Sequence, residues 1–222
     1  MPTFKPLDYT APESAAELRT RLTSFYSQVQ RRRTVRDFSS KAVPRDVIET
    51  ALLAANTAPS GANLQPWHFV VVSGAETKSA IRRAAEAEER EFYEHRASAE
   101  WLKALEPLGT DSDKPFLTTA PYLIAVFVQK YGALADGTKV KHYYPVESTG
   151  LATGLLITAL HMAGLVCLTH TPSPMGFLND ILGRPRSERP FLLLVTGYPA
   201  DDAEVPDIER KQLTAFTSFV ER

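Results

Sequence analysis

The stretch GLATGLLITALHMAGLVCL, Gly150 to Leu168, carries no charged side chain. Its length approaches that of a bilayer span. Its interior argues otherwise. Gly164 interrupts it, Thr153, Thr158 and His161 lie inside it, and Val166-Cys167-Leu168 has the character of a strand. The pattern predicts a helix within His142 to Gly164, then a buried strand, Val166 to Thr169. A helix apolar on most sides needs cover all round. In a chain of 222 residues, a partner subunit is a natural source of part of that cover.

Working outward, Tyr122 to Val128 and Phe191 to Thr196 are continuous apolar runs of the kind found in strands buried on both faces. His68 to Val72 is a shorter β-branched and aromatic run. Helical spacing recurs in Ser14 to Arg33, with Leu18, Leu22 and Phe25 on one side. It recurs in Pro44 to Thr57, where Pro44 suits the first turn. Ala75 to Arg96 is a long charged helix and Gly176 to Leu182 a short one. Trp101 to Asp113 has weak periodicity, with Pro107 and Gly109, and is expected to be a mobile loop. The polar tail from Ala200, interrupted by Pro206, is expected to be an arm that packs on another surface. Strands alternating with helices predict an α+β or α/β fold, one mixed sheet flanked by helices. No linker divides residues 1–222, so one domain is expected.

Composition narrows the function. The chain is 44% hydrophobic and 23% charged, with a net charge of −1, which speaks against a general nucleic-acid binder. The one cysteine, Cys167, excludes an intrachain disulfide and lies in an apolar run, so it is read as a small buried residue. The N-terminus has no apolar core of a signal peptide, which leaves a reducing cytoplasm as the expected compartment and no membrane attachment. The five histidines show no zinc-type spacing, and His161 is expected to be a satisfied core residue. No phosphate loop or Gly-x-Gly-x-x-Gly sequence occurs.

Two segments carry more specific chemistry. Arg31-Arg32-Arg33-Thr34-Val35-Arg36 concentrates guanidinium groups at a helix end. Guanidinium binds phosphate bidentately, although cations at a helix C-terminus also simply complement its dipole. Ala58 to Trp67 is a long helix-to-strand connection. Gly61 there permits close backbone approach, and Ser60, Asn63 and Gln65 can hydrogen-bond a planar heterocycle. The pairing of the two segments is far more specific than either.

Arg32-Arg33-Thr34-Val35-Arg36-Asp37-Phe38, then Val43-Pro44 and the Ala58 to Trp67 loop, resemble the nitroreductase superfamily of FMN enzymes. The resemblance spans nearly the whole chain. It implies an intertwined homodimer of nitroreductase-like α+β fold, with FMN at the subunit interface. Arg32, Arg33, Thr34 and Arg36 would hold the phosphate and ribityl oxygens, joined by Pro59, Ser60, Gly61 and Asn63. A narrower resemblance, to the iodotyrosine deiodinases, rests on Ala87 to Tyr93, Trp101, Lys114, Thr119-Ala120-Pro121, Lys141 to Tyr144, Thr169 to Pro172, Leu182 to Pro185, Gly197-Tyr198-Pro199 and Val205-Pro206-Asp207. It implies that Glu89, Tyr93 and Lys114 grip the zwitterion of a halogenated tyrosine, within a substrate lid in 75–118. The Ala62 N–H would approach the phenolate. Thr169 would set a catalytic hydroxyl against flavin N5, suiting stepwise electron transfer. His170, Thr171 and the late Arg210 would complete the FMN site.

Side-chain chemistry agrees with the clamp. Glu89 and Tyr93 are four apart and share a helix face. A carboxylate suits an ammonium, and a lysine suits a carboxylate. Taken singly, Glu86, Glu88, Glu89 and Glu91 would be a solvated face. The chain departs from the family pattern at Asn63, at His170 in place of a threonine, and over Ser173 to Phe177, and it lacks the N-terminal anchor of the mammalian members. The leading expectation is FMN-dependent reductive dehalogenation of halotyrosine, with electrons from NAD(P)H directly or through a reductase. The alternatives are a general nitro or quinone reductase, an amino-acid-binding flavoprotein with little turnover, and oxygen-dependent FMN destruction as in dimethylbenzimidazole synthases, which the clamp trio disfavours.

Overall fold

The computed structural model describes residues 2–133 and 136–221. Its centre is a four-stranded sheet in the order β1 (Trp67–Val72), β2 (Tyr122–Gln129), β6 (Glu188–Gly197), β5 (Val166–His170), with β3 (Tyr131–Ala133) and β4 (Lys139–Lys141) paired apart from it. Successive strand side chains point to opposite faces, and both faces of this sheet are covered. Leu123, Ala125, Phe127, Leu193 and Val195 pack with Ile81 and Ala85 of α3 (Ala75–Glu91), Leu117 of α5 (Phe116–Thr119) and Leu178 of α7 (Phe177–Ile181). Ile124, Val126, Leu192, Leu194 and Cys167 pack with Ile48, Ala51 and Ala55 of α2 (Arg45–Ala55) and Leu156 and Leu160 of α6 (Pro145–Met162). Burial on both faces is why β2 and β6 read as unbroken apolar runs. It also places one side of the uncharged 150–168 stretch in a protein core, as α6, a Gly164 turn with φ of 83°, and β5, while Leu151, Leu155 and Met162 stay exposed. Among the described residues no helix is long and apolar enough to cross a membrane.

The fold class is α+β, as expected, but the sheet differs in one respect. All three strand pairings are antiparallel. The parallel component of the expected mixed sheet is reduced to one bridge, Thr34 to Cys167. Apolar runs reveal burial on both faces, not strand direction. The Trp101 to Asp113 segment is also not a loop throughout. It holds α4 (Ala99–Leu105) and a 3₁₀ turn, Glu106–Leu108. The Ser98 hydroxyl accepts the Trp101 N–H and caps α4, and Trp101 packs edge-on against Phe92 at 5.1 Å.

Two further positions sharpen the picture. His161 is half-buried, not in the core, and bonds the Gln28 carbonyl at 2.9 Å, where α6 meets α1 (Ala15–Val29). Cys167 is buried as expected, and burial pushes its thiol up to about 11. Helix α1 buries none of its residues; its apolar side, with Leu18 and Leu22, is exposed. So are Leu151 and Met162 on α6 and Phe216 and Phe219 in the tail.

Candidate functional site

The arginine segment is held in place by its apolar residues. Val35 and Phe38 are buried, the Val35 N–H donates to the Cys167 carbonyl at 3.3 Å, and Phe38 bridges Pro199. The segment therefore lies along the edge of β5 and frees Arg32, Arg33 and Arg36. With Thr34 these line a cavity of about 310 Å³. The tail returns to close it. Arg210 lines the same cavity and donates to the carbonyls of Gln30 at 3.0 Å and Arg32 at 2.5 Å, while Arg33 donates to the Pro206 carbonyl. Among the described residues no carboxylate lies within ion-pair distance of any of these four arginines. Four uncompensated guanidinium groups around one hollow suit a phosphate.

Arg36 also lines a second cavity, of about 470 Å³, together with Thr169, His170 and Thr171. Thr169 and Thr171 are both exposed and flank buried His170 at the end of β5. Aromatic walls come from Phe92, Trp101 and Phe116. Glu89, Tyr93 and Lys114 complete the lining, which brings the predicted trio together from α3, the π-helical turn Phe92–Arg96 and the approach to α5. Lys114 Nζ lies 3.4 Å from Glu89 Oε2, and their side chains are 4% and 14% exposed. Nζ also donates to Thr110 Oγ1 at 3.3 Å and to the Asp111 carbonyl. The Tyr93 hydroxyl donates to the Thr110 carbonyl at 3.1 Å, and burial leads the causes that raise its pKa. At the far end of the π turn, Arg96 donates to the Ser173 carbonyl at 2.6 Å, tying it to the cavity's other rim.

His170 is the unusual member. Its ring stands edge-on to Phe116, 5.6 Å between centroids, and its Nε2 is buried without a partner. Buried polar atoms in native proteins nearly always have a partner, so this nitrogen is an exception in the wall of the cavity. Burial first, then the nearby Lys114 and Arg36 charges, hold the imidazole down at about 3, against an ordinary 6.5. The folded chain thus keeps His170 neutral where the unfolded chain protonates. Stability present above pH 6.5 is lost as pH falls toward 3, by roughly 1.4 kcal/mol per pH unit for one proton. Thermal unfolding midpoints between pH 6 and pH 4 should accordingly fall less steeply in His170→Phe than in the unchanged protein. Equal slopes would show that His170 does not carry this acid sensitivity.

The other expected residues lie elsewhere. Pro59, Ser60, Gly61, Ala62 and Asn63 line neither cavity. Their loop is tightly made: the Gln65 N–H donates to Ser60 Oγ at 2.9 Å, and Ala62, Asn63 and Gln65 have φ of 51°, 55° and 47°. Left-handed backbone at three non-glycine residues is the kind of strain that collects at binding loops. A Cβ on Gly61 would come within 2.9 Å of the Tyr143 carbonyl oxygen, which fixes glycine there. Ala62 and Asn63 are left exposed. One chain thus presents two separate parts of the expected site.

Sequence reasoning passed over Thr110 and Phe116, and over Glu86, which it assigned to a solvated face. The Glu86 side chain is only 16% exposed. No periodicity in 101–113 marks Thr110, and its role follows only from where the chain folds back toward Tyr93.

The family model for the nitroreductase family matches residues 29–198. Iodotyrosine deiodinase of Haliscomenobacter hydrossis is 56% identical over 199 residues, 90% of each chain. Iodotyrosine deiodinase 1 of Mus musculus is 46% identical over 89% of this chain and 70% of its own. Among solved structures, an oxidized iodotyrosine deiodinase bound to FMN and 3-iodo-L-tyrosine superposes with a TM-score of 0.74 at 33% identity, covering 88% of this chain and all of its own. A nitroreductase with bound FMN from Desulfitobacterium hafniense shares the fold, with a TM-score of 0.65 at 17% identity, over 89% of this chain and 98% of its own.

Proposed function

The chain belongs to the nitroreductase family, and from that premise we propose that it is an FMN-dependent reductive dehalogenase of halotyrosine. The observation that carries this reading is the convergence of Glu89, Tyr93 and Lys114 in the cavity that also holds Thr169, Thr171 and Arg36. Opposite charges at the two ends of a clamp match the ammonium and carboxylate of a free amino acid. The walls of Phe92, Trp101 and Phe116 match its ring.

Arg32, Arg33, Arg36 and Arg210 hold the FMN phosphate and ribityl chain, with Thr34 and the Thr169 to Thr171 strand end beside them. The four guanidinium groups, none of them paired with a carboxylate among the described residues, support that fit. When bound, FMN supplies the two electrons that, with one proton, replace the halogen on the aromatic carbon by hydrogen and release halide. The lid lies within residues 75–118, where Glu89, Tyr93 and Lys114 would orient the substrate, exclude water and let zwitterion binding assemble the site. Thr169 would set its hydroxyl against flavin N5, and the Ala62 N–H would approach the phenolate.

Ala62 and the Pro59-Ser60-Gly61 turn reach that site from a second copy, in a homodimer. The exposed apolar side of α1, the exposed leucines of α6 and the tail from 200 onward support this arrangement, as does the placement of 59–63 away from both cavities. Electrons come from NAD(P)H directly or through a reductase, in the cytoplasm.

The direct test is halide release. Protein reduced anaerobically with dithionite should release iodide from 3-iodotyrosine at no less than one halide per flavin. Thr169→Val and Thr171→Val, run in the same assay, should identify the hydroxyl by which one slows release. Steady oxidation of NADPH with nitroaromatics, and no response to halotyrosine, would instead place the chain with the general reductases. Tight halotyrosine binding without any halide release would leave it a binding flavoprotein.

A further inference from the structure

Glu86 lies one turn before Glu89 on α3, outside both cavities, and it touches the clamp from behind. Its Oε1 accepts the Lys114 N–H at 2.9 Å. The same oxygen accepts the Arg82 Nε–H at 2.6 Å. Arg82 reaches further, donating to Thr118 Oγ1 at 3.1 Å and to Asp113 Oδ1 at 2.7 Å. Residues 113, 114 and 118 are therefore all fastened to one face of α3 by two side chains four positions apart.

This has a consequence for Lys114. Its main chain is held by Glu86 and its ammonium by Glu89, two carboxylates three residues apart on the same helix. Helix α3 thus grips the lysine at both ends. The preceding residues, Thr110 to Asp113, belong to no regular element. Without the Glu86 bond nothing else accepts the Lys114 N–H among the described residues, and the direction of its long side chain would follow the freedom of that segment. Long flexible side chains lose much of their interaction energy when they must be ordered on binding.

We propose that Glu86, oriented by Arg82, is a positioning residue that sets Lys114 for the substrate carboxylate, so that the distance between the two charges of the clamp is fixed before substrate arrives. The proposal rests on the dehalogenase reading, because it assigns Lys114 to a zwitterion. It predicts a selective defect. A ligand that uses the clamp should suffer, and a ring without the amino-acid group should not.

The experiment is a titration of the FMN-loaded protein, followed by flavin absorbance, with 3-iodotyrosine and with 2-iodophenol. Glu86→Ala should weaken iodotyrosine binding about tenfold or more, the scale of one lost charge-assisted hydrogen bond. Iodophenol binding and flavin retention should stay within about twofold. Glu86→Gln keeps an oxygen acceptor for the Lys114 N–H and should recover most of the affinity. If Glu86→Ala weakens both ligands equally, the residue is merely structural and the proposal is wrong. If Glu86→Ala leaves iodotyrosine unaffected while Lys114→Ala does not, the proposal fails and the clamp stands. If Lys114→Ala is also without effect, the clamp reading itself is overturned.

Discussion

Lys114→Ala is expected to raise the dissociation constant of 3-iodotyrosine by at least about thirtyfold, the low end for truncating one member of a buried, hydrogen-bonded charge pair, about 2–5 kcal/mol. The Lys114 side chain is 4% exposed and the facing Glu89 carboxylate 14%. Two things are lost together: the partner of the substrate carboxylate, and the cation that compensates Glu89. Glu89→Gln removes the other end, so its effect should be of similar size and concentrated on the ammonium. Because the two residues touch, their effects should not add, and the double variant should fall short of the sum. Flavin retention should be unchanged in all three, since neither residue lines the arginine cavity. The reading is absorbance of the bound flavin during titration, with plain tyrosine as a second ligand. Unchanged iodotyrosine affinity in both single variants would sink the clamp.

Some of this was legible in the sequence for definite physical reasons. A strand covered on both faces must be apolar at every position, so β2 and β6 announce themselves. The uncharged run from Gly150 likewise marks most of α6, although Leu151, Leu155 and Met162 stay exposed on one chain. The proposed phosphate site needs guanidinium groups held close together, and Arg32, Arg33 and Arg36 stand as such a cluster in the sequence. Glu89 and Tyr93 were visible through helical spacing, which the fold preserves even though α3 ends in a π turn at Phe92–Arg96.

Other features left no local trace. Strand direction depends on connections and not on composition, so the antiparallel sheet could not be told from a mixed one. Helix α4 is only seven residues long, too short for periodicity to speak, and its stability rests on a Ser98 cap and on Trp101 meeting Phe92 across the fold. Glu86 looked like its neighbours Glu88 and Glu91 because a carboxylate's partner, here the main chain of Lys114, lies 28 positions away. His170 was visible as a departure from a family pattern, but its buried and unsatisfied nitrogen was not.

The largest loss of cofactor should follow from Arg32→Ala combined with Arg36→Ala. Each arginine is expected to contribute roughly 1.5–3 kcal/mol if it donates charge-assisted hydrogen bonds to the FMN phosphate or ribityl chain. Together that is a loss of about a hundredfold or more in FMN affinity. Arg36 should bear the greater share of consequence because it lines both cavities, the one proposed for the phosphate and the one proposed for the reaction. Arg31 makes the control: it is exposed, lines neither cavity, and differs from Arg32 by one position. If charge near the helix end were all that mattered, Arg31→Ala would weaken FMN as much as Arg32→Ala does. If directed guanidinium contacts matter, Arg31→Ala should retain its flavin through gel filtration while the double variant emerges colourless. Lysine at position 36 should recover only part of the affinity, since it keeps the charge but not the planar fork. Fluorescence quenching of added FMN gives the constants. A double variant that binds FMN as tightly as the parent would show that the arginine cavity is not the phosphate site, whatever the clamp above it holds.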